Sequence, residues 1–245
     1  MEIEPIENIS ENLRIARQKI DDAKSISGVD HVTLVGITKT RTPEQICDLM
    51  EAGCSDIGEN RVQEWEDKYP MVLTELKKRN FVGKYTRHLV GHLQSNKAKK
   101  ALEEFDMIHS VDSLKLAQKL SRIADEEKLP PVKCLIQIKL GDEETKSGIG
   151  KNEFEINFEL FLELESIRIC GLMLIAPLWA MGEEAREYYN EMHEFFQKFK
   201  QIQDSRFEMM YLSMGMSADF DIAVEEGANM VRIGRVLFEG FETLQ

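Results

Sequence analysis

The feature that most constrains the fold of this sequence is a regular alternation of two kinds of segment. Eight short runs rich in Val, Ile, Leu and Met recur along the 245 residues, and segments with apolar residues at helical spacing lie between them. Short continuous apolar runs are typical of parallel strands that are covered on both faces. Eight such units in a chain of this length predict an α/β protein with a single closed (β/α)₈ TIM barrel. A doubly wound open sheet is the structural alternative.

The boundaries of the predicted elements follow from the same pattern. Strands are predicted at residues 31–37, 54–58, 87–91, 105–110, 132–138, 167–175, 209–213 and 229–233. Helices are predicted at residues 43–52, 62–69, 95–104, 112–127, 153–164, 183–202 and 217–226. No linker-like stretch divides these elements, so we expect one domain over residues 1–245.

Helix signals are clearest in the first part of the chain. An additional amphipathic helix opens it, with one apolar face formed by Ile9, Leu13, Ala16, Ile20 and Ala23. Thr42 and Gln45 have the spacing of a capping box, and Pro43 suits the first position of the next helix. Gly53 suits its end. Further on, Asp112 is the predicted cap of the helix at 112–127.

The charge balance argues against nucleic-acid binding. The formal net charge is −13, so a phosphate polymer would be repelled, and we interpret the basic run at 97–100 as a solvated helix face. The four cysteines form no CxxC pair. The acidic start of the chain is unlike a secretory signal, and no apolar stretch is long enough to span a bilayer. We therefore expect a cytoplasmic protein without nucleic acid or membrane as partner. The compact single barrel favours a monomer.

The reactive groups of such a barrel lie at the carboxyl ends of its strands. Lys39 follows the first strand, where a lowered pKa would let its amine form a Schiff base; the other interpretation is a surface lysine that starts a loop. Asn60 follows the second strand and either hydrogen-bonds a ligand or caps the next helix. His92 follows the third strand in a polar cluster and is either an acid–base group or an ordinary loop residue.

The ends of the seventh and eighth strands carry the pattern of a phosphate site, which such barrels usually have there. Ser213 and Ser217 supply hydroxyl groups, while Gly215 and Gly234 let the backbone approach an anion closely. The helix predicted from Ser217 would point its amino-terminal amides at the same spot. Two ordinary turns are the other interpretation.

A phosphate site on one side of the rim and Lys39 on the other predict a phosphorylated ligand with a carbonyl group. Pyridoxal 5′-phosphate meets both requirements. The phosphorylated sugar of a Schiff-base aldolase meets them equally well. The residues by themselves leave both ligands open.

Eight segments together carry a resemblance that covers nearly the whole chain. They are Gly36–Thr40, Gly58–Glu64, Gly91–Lys97, His109–Asp112, Lys146–Gly148, Gly171–Met173, Leu212–Phe220 and Val231–Gly234. In this order and spacing they resemble the pyridoxal phosphate homeostasis proteins, the YggS/PROSC type. The resemblance implies a fold type III barrel, like the amino-terminal barrel of alanine racemase, that carries pyridoxal 5′-phosphate.

The resemblance also implies a role for each cofactor-binding residue on the ring side. Lys39 forms the Schiff base, Asn60 lies near the ring and its phenolic oxygen, and Met173 lines the ring pocket. Arg232 approaches the pyridine nitrogen. Because a guanidinium group only donates hydrogen bonds, it favours a neutral pyridine nitrogen and weakens the ring as an electron sink. The phosphate is held by Ser213 and the backbone amides around Gly215 and Gly234.

The function implied by the resemblance is vitamin B6 homeostasis, as carrier or buffer of the cofactor for apo forms of pyridoxal-phosphate enzymes. We expect little or no catalytic activity, and no catalytic or metal-binding residue. A racemase-like enzyme is the alternative. The related racemases append a β-domain that supplies a second base, and this chain leaves no length for one after the eighth unit. The chain departs from the family pattern at the loop 175–179, at the ending 238–241 and at two single residues: Lys139 replaces an Asn and adds a second amine, and Arg235 replaces a small hydroxyl residue.

Overall fold

The structure, a computed structural model, describes residues 5–141, 147–177, 179–202 and 204–244. Its strands are β1 (Thr33–Ile37), β2 (Asp56–Glu59), β3 (Thr86–Leu89), β4 (Met107–Val111), β5 (Val132–Lys139), β6 (Ile149–Gly150), β7 (Ile167–Leu174), β8 (Phe207–Ser213) and β9 (Met230–Ile233). Its α-helices are α1 (Pro5–Ser27), α2 (Pro43–Glu51), α3 (Val62–Lys78), α4 (Ala98–Glu104), α5 (Leu114–Glu126), α6 (Lys151–Ile156), α7 (Phe158–Leu162), α8 (Arg186–Phe199), α9 (Phe220–Glu225) and α10 (Arg235–Glu239). None of these helices is both long enough and apolar enough to cross a membrane.

Eight of the strands form a closed parallel barrel. Neighbours pair in the order β1, β2, β3, β4, β5, β7, β8 and β9. The ring closes because β9 pairs with β1, with Thr33 opposite Met230 and Gly36 opposite Ile233. The two-residue strand β6 pairs with β5 beside the ring. The predicted (β/α)₈ barrel is therefore confirmed, and the open doubly wound sheet is excluded.

The first two helices agree with their local sequence signals, α1 in its buried face and α2 in its amino-terminal cap. The five residues of the predicted apolar face of α1 are all buried. At α2 the Thr42 hydroxyl accepts a hydrogen bond from the Gln45 N–H at 3.3 Å, and the Gln45 side chain accepts one from the Thr42 N–H at 3.1 Å. This reciprocal pair satisfies two amides that the helix itself leaves free.

The helix at 112–127 begins differently from the prediction. Ser113 is its cap, because the Ser113 hydroxyl accepts the Leu116 N–H at 3.2 Å. The carboxylate of Asp112 instead pairs with His92, at 3.0 Å from Nδ1. The helix predicted at 153–164 is divided into α6 and α7 at Asn157. The first difference arises because Asp112 and Ser113 are both able to cap the helix, and Asp112 is taken by His92.

The helix predicted from Ser217 begins only at Phe220. The Asp219 N–H donates to the Met216 carbonyl at 3.0 Å, and the Asp219 carboxylate accepts the Met216 N–H at 2.7 Å. These two bonds close a turn over residues 217–219 before α9. The expectation of a helix amino terminus at Ser217 was therefore wrong, and amides of a turn lie at that point of the rim.

The apolar core lies in two layers. The larger layer fills the space between the strands and the surrounding helices. The smaller layer fills the barrel interior and consists of Val35, Ile37, Val90, Met107, Leu135, Cys170, Met173 and Met230. Side chains point alternately into and out of the barrel along each strand. A residue two positions beyond the last inner-layer residue of a strand therefore lies at the barrel mouth.

Candidate functional site

Lys39 lies at the barrel mouth, just beyond the carboxyl end of β1. Val35 and Ile37 of the same strand belong to the inner layer, and Lys39 continues their two-residue spacing. Its side chain is exposed. The next residue, Thr40, has a φ of 62°, so the chain turns sharply directly after Lys39. The lysine therefore sits on a short, bent segment whose backbone must be held in place.

Three side chains, Glu59, Glu64 and Lys68, hold that segment and form what we call the Lys39 clamp. The Lys68 ammonium donates to the Thr38 carbonyl at 3.0 Å and to Glu59 at 2.8 Å. On the other side of Lys39, Glu64 accepts the Thr40 N–H at 2.8 Å. Lys68 also bridges to Glu64 at 3.3 Å, so the peptide groups before and after Lys39 are tied to one ion-pair network.

The clamp is buried, which sets its electrostatics. The side chains of Lys68 and Glu59 are only 9% and 1% exposed. Burial raises the pKa of Glu59 above its ordinary value, although the ammonium of Lys68 and the hydroxyl of Thr38 act in the opposite direction. For Glu64, burial is outweighed by the Thr40 amide and by Lys68, so the pKa of Glu64 is lowered. The network thus depends on one buried cation.

Lys68 was missed in the sequence analysis, although a signal for it exists. In α3 it takes a place on the buried face of the helix, in register with Trp65 and Val72. A lysine on an apolar helical stripe is rare unless a buried partner neutralises it. Here Lys68 is neutralised by Glu59 and Glu64.

Unpaired amides mark the part of the mouth next to β1, at the ends of β8 and β9. Within the described part of the chain, the N–H groups of Ser217, Ala218 and Arg235 donate no hydrogen bond. The Ser217 hydroxyl accepts the Gly234 N–H at 3.2 Å and links the two loops. Free amides in the loops at these two strand ends are typical of an anion site. The residues present therefore fit a phosphate group.

Packing requires a glycine at position 215 and leaves little room for a side chain at position 234. Gly215 has a φ of +87°, and a Cβ there would lie 2.5 Å from the Cβ of Ala223. A Cβ on Gly234 would lie 3.3 Å from the Ile37 carbonyl oxygen. The backbone at Gly234 therefore lies against the end of β1, two residues before Lys39, which brings the amine and the anion site to one mouth.

A chain of polar side chains crosses the barrel interior below this mouth; we call it the interior chain. It runs from Asp56 to His88 (3.0 Å), from His88 to His109 (2.9 Å), from His109 to Ser213 (3.2 Å) and from Ser213 to Arg232 (2.8 Å). The last four of these residues are buried. Sequence analysis did not single out His88 or assign a role to His109, although a histidine inside an apolar strand is a signal for a buried polar contact.

Ser213 is thus placed away from the free amides. Its hydroxyl is fully buried and lies between Arg232 and His109. Arg232 donates its second hydrogen bond to the Leu174 carbonyl at 2.8 Å. Burial lowers the pKa of Arg232 to about 10, which still leaves the guanidinium charged at neutral pH.

The remaining predicted residues are spread around the mouth and interior. Met173 is fully buried in the inner layer, and Asn60 is half-buried beyond the end of β2. A Cβ on Gly91 would lie 2.2 Å from the Asn60 carbonyl oxygen, so the segment that follows β3 passes close to this residue. Lys139 is half-buried at the end of β5. Lys146, in one segment of the resemblance, lies outside the described residues.

Comparisons with known proteins place the chain in a family. The family described as "Alanine racemase, N-terminal domain" matches residues 6–240. A protein of Aquifex aeolicus named "Pyridoxal phosphate homeostasis protein" is 34% identical over 233 residues, which cover 94% of this chain and 97% of that protein. A protein of the same name from Synechocystis is 38% identical over 208 residues, covering 84% and 90%.

A solved structure agrees with these relatives. PipY of Synechococcus elongatus, determined with PLP bound, superposes with a TM-score of 0.79 at 36% identity and covers 94% of this chain and 99% of its own. This chain therefore belongs to the pyridoxal phosphate homeostasis protein family, which has the barrel of the alanine racemase amino-terminal domain.

Proposed function

We propose that this chain binds pyridoxal 5′-phosphate as a Schiff base on Lys39 and takes part in intracellular vitamin B6 homeostasis as a carrier or buffer. The Lys39 amine attacks the aldehyde carbon, a C=N bond replaces the C=O bond, and the carbonyl oxygen leaves with two protons as water. No oxidant, reductant or second substrate is needed. Apo forms of pyridoxal-phosphate enzymes are the proposed recipients.

The observation that carries this proposal is the presence of two complementary groups at neighbouring strand ends of one mouth. The clamp presents the Lys39 amine on the β1 side, and the free amides of Ser217, Ala218 and Arg235 lie on the β8 and β9 side. The amine suits the aldehyde of the cofactor and the amides suit its phosphate. The PLP bound in the PipY structure supports the same assignment, since that protein is similar over nearly its whole length.

The remaining proposed contacts lie between these two anchors. Asn60 and Met173 are assigned to the ring, Gly215 and Gly234 to the backbone around the phosphate, and Arg232 to the pyridine nitrogen. Bound pyridoxal phosphate supplies an electron-withdrawing ring to an attached amine, but Arg232 only donates hydrogen bonds and so leaves the ring nitrogen unprotonated. Weak electron withdrawal favours holding the cofactor over transforming an amino acid.

The test is spectroscopic and chemical. Pyridoxal 5′-phosphate added to the purified protein is expected to give the absorption band of a Schiff base, and borohydride is expected to fix the cofactor covalently. Peptide mapping should find the label on Lys39, and Lys39→Ala should abolish it. Lys139→Ala is the matched control at the same mouth and should keep it. A label on Lys139, or a protein that never becomes coloured, would overturn the assignment.

The racemase alternative is favoured by the match to the alanine racemase domain family. Racemisation requires proton transfer on both faces of the substrate carbon. The loaded protein should therefore be incubated with L-alanine in deuterium oxide and analysed for D-alanine and for deuterium at Cα. We expect neither D-alanine nor deuterium at Cα above the amounts that free pyridoxal phosphate produces. In a separate assay, we expect the loaded protein to transfer its cofactor to an added apoenzyme. Rapid formation of D-alanine would establish the enzyme instead.

A further inference from the structure

We propose that Asp56, His88, His109 and Ser213 form a hydrogen-bond chain with one direction, and that its task is to position Arg232 at the barrel mouth. Ser213 is then a positioning residue that acts through Arg232 and does not contact the phosphate. What Arg232 touches rests on the proposed cofactor function. The direction of the chain rests only on the side chains of the interior chain.

The two ends of the interior chain have fixed hydrogen-bonding roles. Arg232 can only donate, because a guanidinium group has five N–H bonds and no acceptor. Asp56 at the other end accepts: burial acts to raise its pKa, but the hydrogen bonds from His88 and Ser55 outweigh it, so its pKa is lowered and it is a carboxylate at neutral pH. Every proton between the two ends must therefore point toward Asp56.

The tautomers of both histidines follow from these ends. His88 donates from Nε2 to Asp56, so its Nδ1 is the acceptor. His109 then donates from Nε2 to that Nδ1, and its own Nδ1 accepts the hydroxyl proton of Ser213. The Ser213 oxygen accepts the Arg232 N–H. All four links are satisfied with both imidazoles neutral, and no donor or acceptor along the path is left over.

Charge on either histidine breaks this arrangement. A protonated His88 would donate from Nδ1, so His109 would have to turn its proton toward Ser213. The Ser213 oxygen would then face two donors, while its own proton would lose its acceptor at a site with no solvent exposure. Burial holds the pKa of His109 well below its ordinary value, and the charge of Arg232 acts in the same direction, which agrees with the neutral chain.

The chain also determines where the rest of the guanidinium can act. One Arg232 nitrogen donates to Ser213 and the other terminal nitrogen donates to the Leu174 carbonyl. These two anchors fix the plane of the group and leave three N–H bonds for other partners. Asp56 lies at the amino-terminal end of the barrel, where it lines a cavity of about 360 Å³, and Ser213 at the opposite end. The chain therefore ties the mouth to the base of the barrel.

The direction of the chain can be tested without any cofactor. Long-range ¹H–¹⁵N spectra of the ligand-free protein at neutral pH report the tautomer of each histidine, and His88→Gln and His109→Gln assign the two signals. We expect both to be neutral with the proton on Nε2. A proton on Nδ1 of either ring, or a cationic ring, would overturn the proposal whether or not the protein binds pyridoxal phosphate.

The positioning role is tested with Ser213→Ala and its matched variant Ser217→Ala, both of which remove a single oxygen. Ser213→Ala should shift the absorption maximum of the bound cofactor and weaken pyridoxal and pyridoxal phosphate by the same factor. Ser217→Ala should instead reduce the preference for the phosphorylated form. If Ser213→Ala lowers that preference and leaves the spectrum unchanged, Ser213 is a phosphate contact and the positioning role is refuted. Failure of the wild type to bind the cofactor would refute the proposed function and leave the tautomer result standing.

Discussion

Substitution of Lys68 by methionine is the perturbation that most directly tests the Lys39 clamp. Methionine keeps the length of the side chain and removes its charge. Lys68 donates three hydrogen bonds, at 2.8 Å to Glu59, at 3.0 Å to the Thr38 carbonyl and at 3.3 Å to Glu64. Glu59 has 1% of its side chain exposed, and its second carboxylate oxygen already has no partner in the described part of the chain. Without Lys68 it has no compensating charge.

The expected cost follows from this burial. Removal of one partner of a buried ion pair typically costs about 3–5 kcal/mol. We expect the lower end, about 3 kcal/mol, because Glu59 can take up a proton and Glu64, which is 30% exposed, is solvated by water. For a chain of this size, this corresponds to a fall in Tm of roughly 6–12 °C. Affinity for pyridoxal phosphate should fall as well, since the segment around Lys39 loses its anchor.

The pH dependence gives the sharper assay. Without Lys68, the pKa of Glu59 in the folded protein rises further above its value in the unfolded chain, so the folded variant binds more protons and loses stability as pH rises. Urea unfolding of wild type and variant should therefore show a difference in unfolding free energy that shrinks as the pH falls from 7 toward 5.

The controls separate the ion pair from the helix that carries it. Lys77 is exposed on the same helix, and Lys77→Met should change stability by less than about 0.5 kcal/mol. The double variant Lys68→Met with Glu59→Gln should recover part of the loss. A cost for Lys68→Met as small as that for Lys77→Met, or a difference that widens in acid, would refute the reasoning.

Two further predictions concern the packed interior of the protein. Gly171→Ala should lower the unfolding free energy by more than about 4 kcal/mol or prevent folding, because φ is +152° and the new Cβ would lie 1.9 Å from the Tyr211 carbonyl oxygen. The control Gly150→Ala, whose Cβ would have nothing within 4 Å, should lower it by less than about 1 kcal/mol. Urea unfolding measures both. The four thiols should react with a disulfide reagent only after unfolding, since all are buried and burial raises the pKa of Cys54 to about 11; rapid labelling of the native protein would contradict this.

Much of the fold was predictable because its signals are local. The apolar face of α1 repeats at helical spacing, and the capping box at Thr42 and Gln45 acts within four residues. The eight apolar runs imply a parallel sheet, because strands that are apolar throughout must be covered on both faces, as they are in parallel sheets. The start of α9 was missed because two hydrogen bonds between Met216 and Asp219 close a turn that the helical pattern does not reveal.

The candidate site divides in the same way. Position at a strand end was enough to select Lys39, Gly215 and Gly234, because the barrel brings all carboxyl ends of the strands to one mouth. The partners of buried polar groups were not predictable from position. His109 and Ser213 are 104 residues apart, and Lys68 meets the Thr38 carbonyl across 30 residues.

The sequence by itself therefore determined the barrel, its helices and the rim on which the amine and the glycines lie. Only the tertiary structure decided that Ser213 faces Arg232 in the interior, that Ser217 lies beside the free amides, and that Lys68 supports Lys39. The physical reason is that periodicity and capping depend on neighbours along the chain. A buried hydrogen bond depends on which residues, distant in sequence, become neighbours in the interior. Closure of the barrel determines those neighbours.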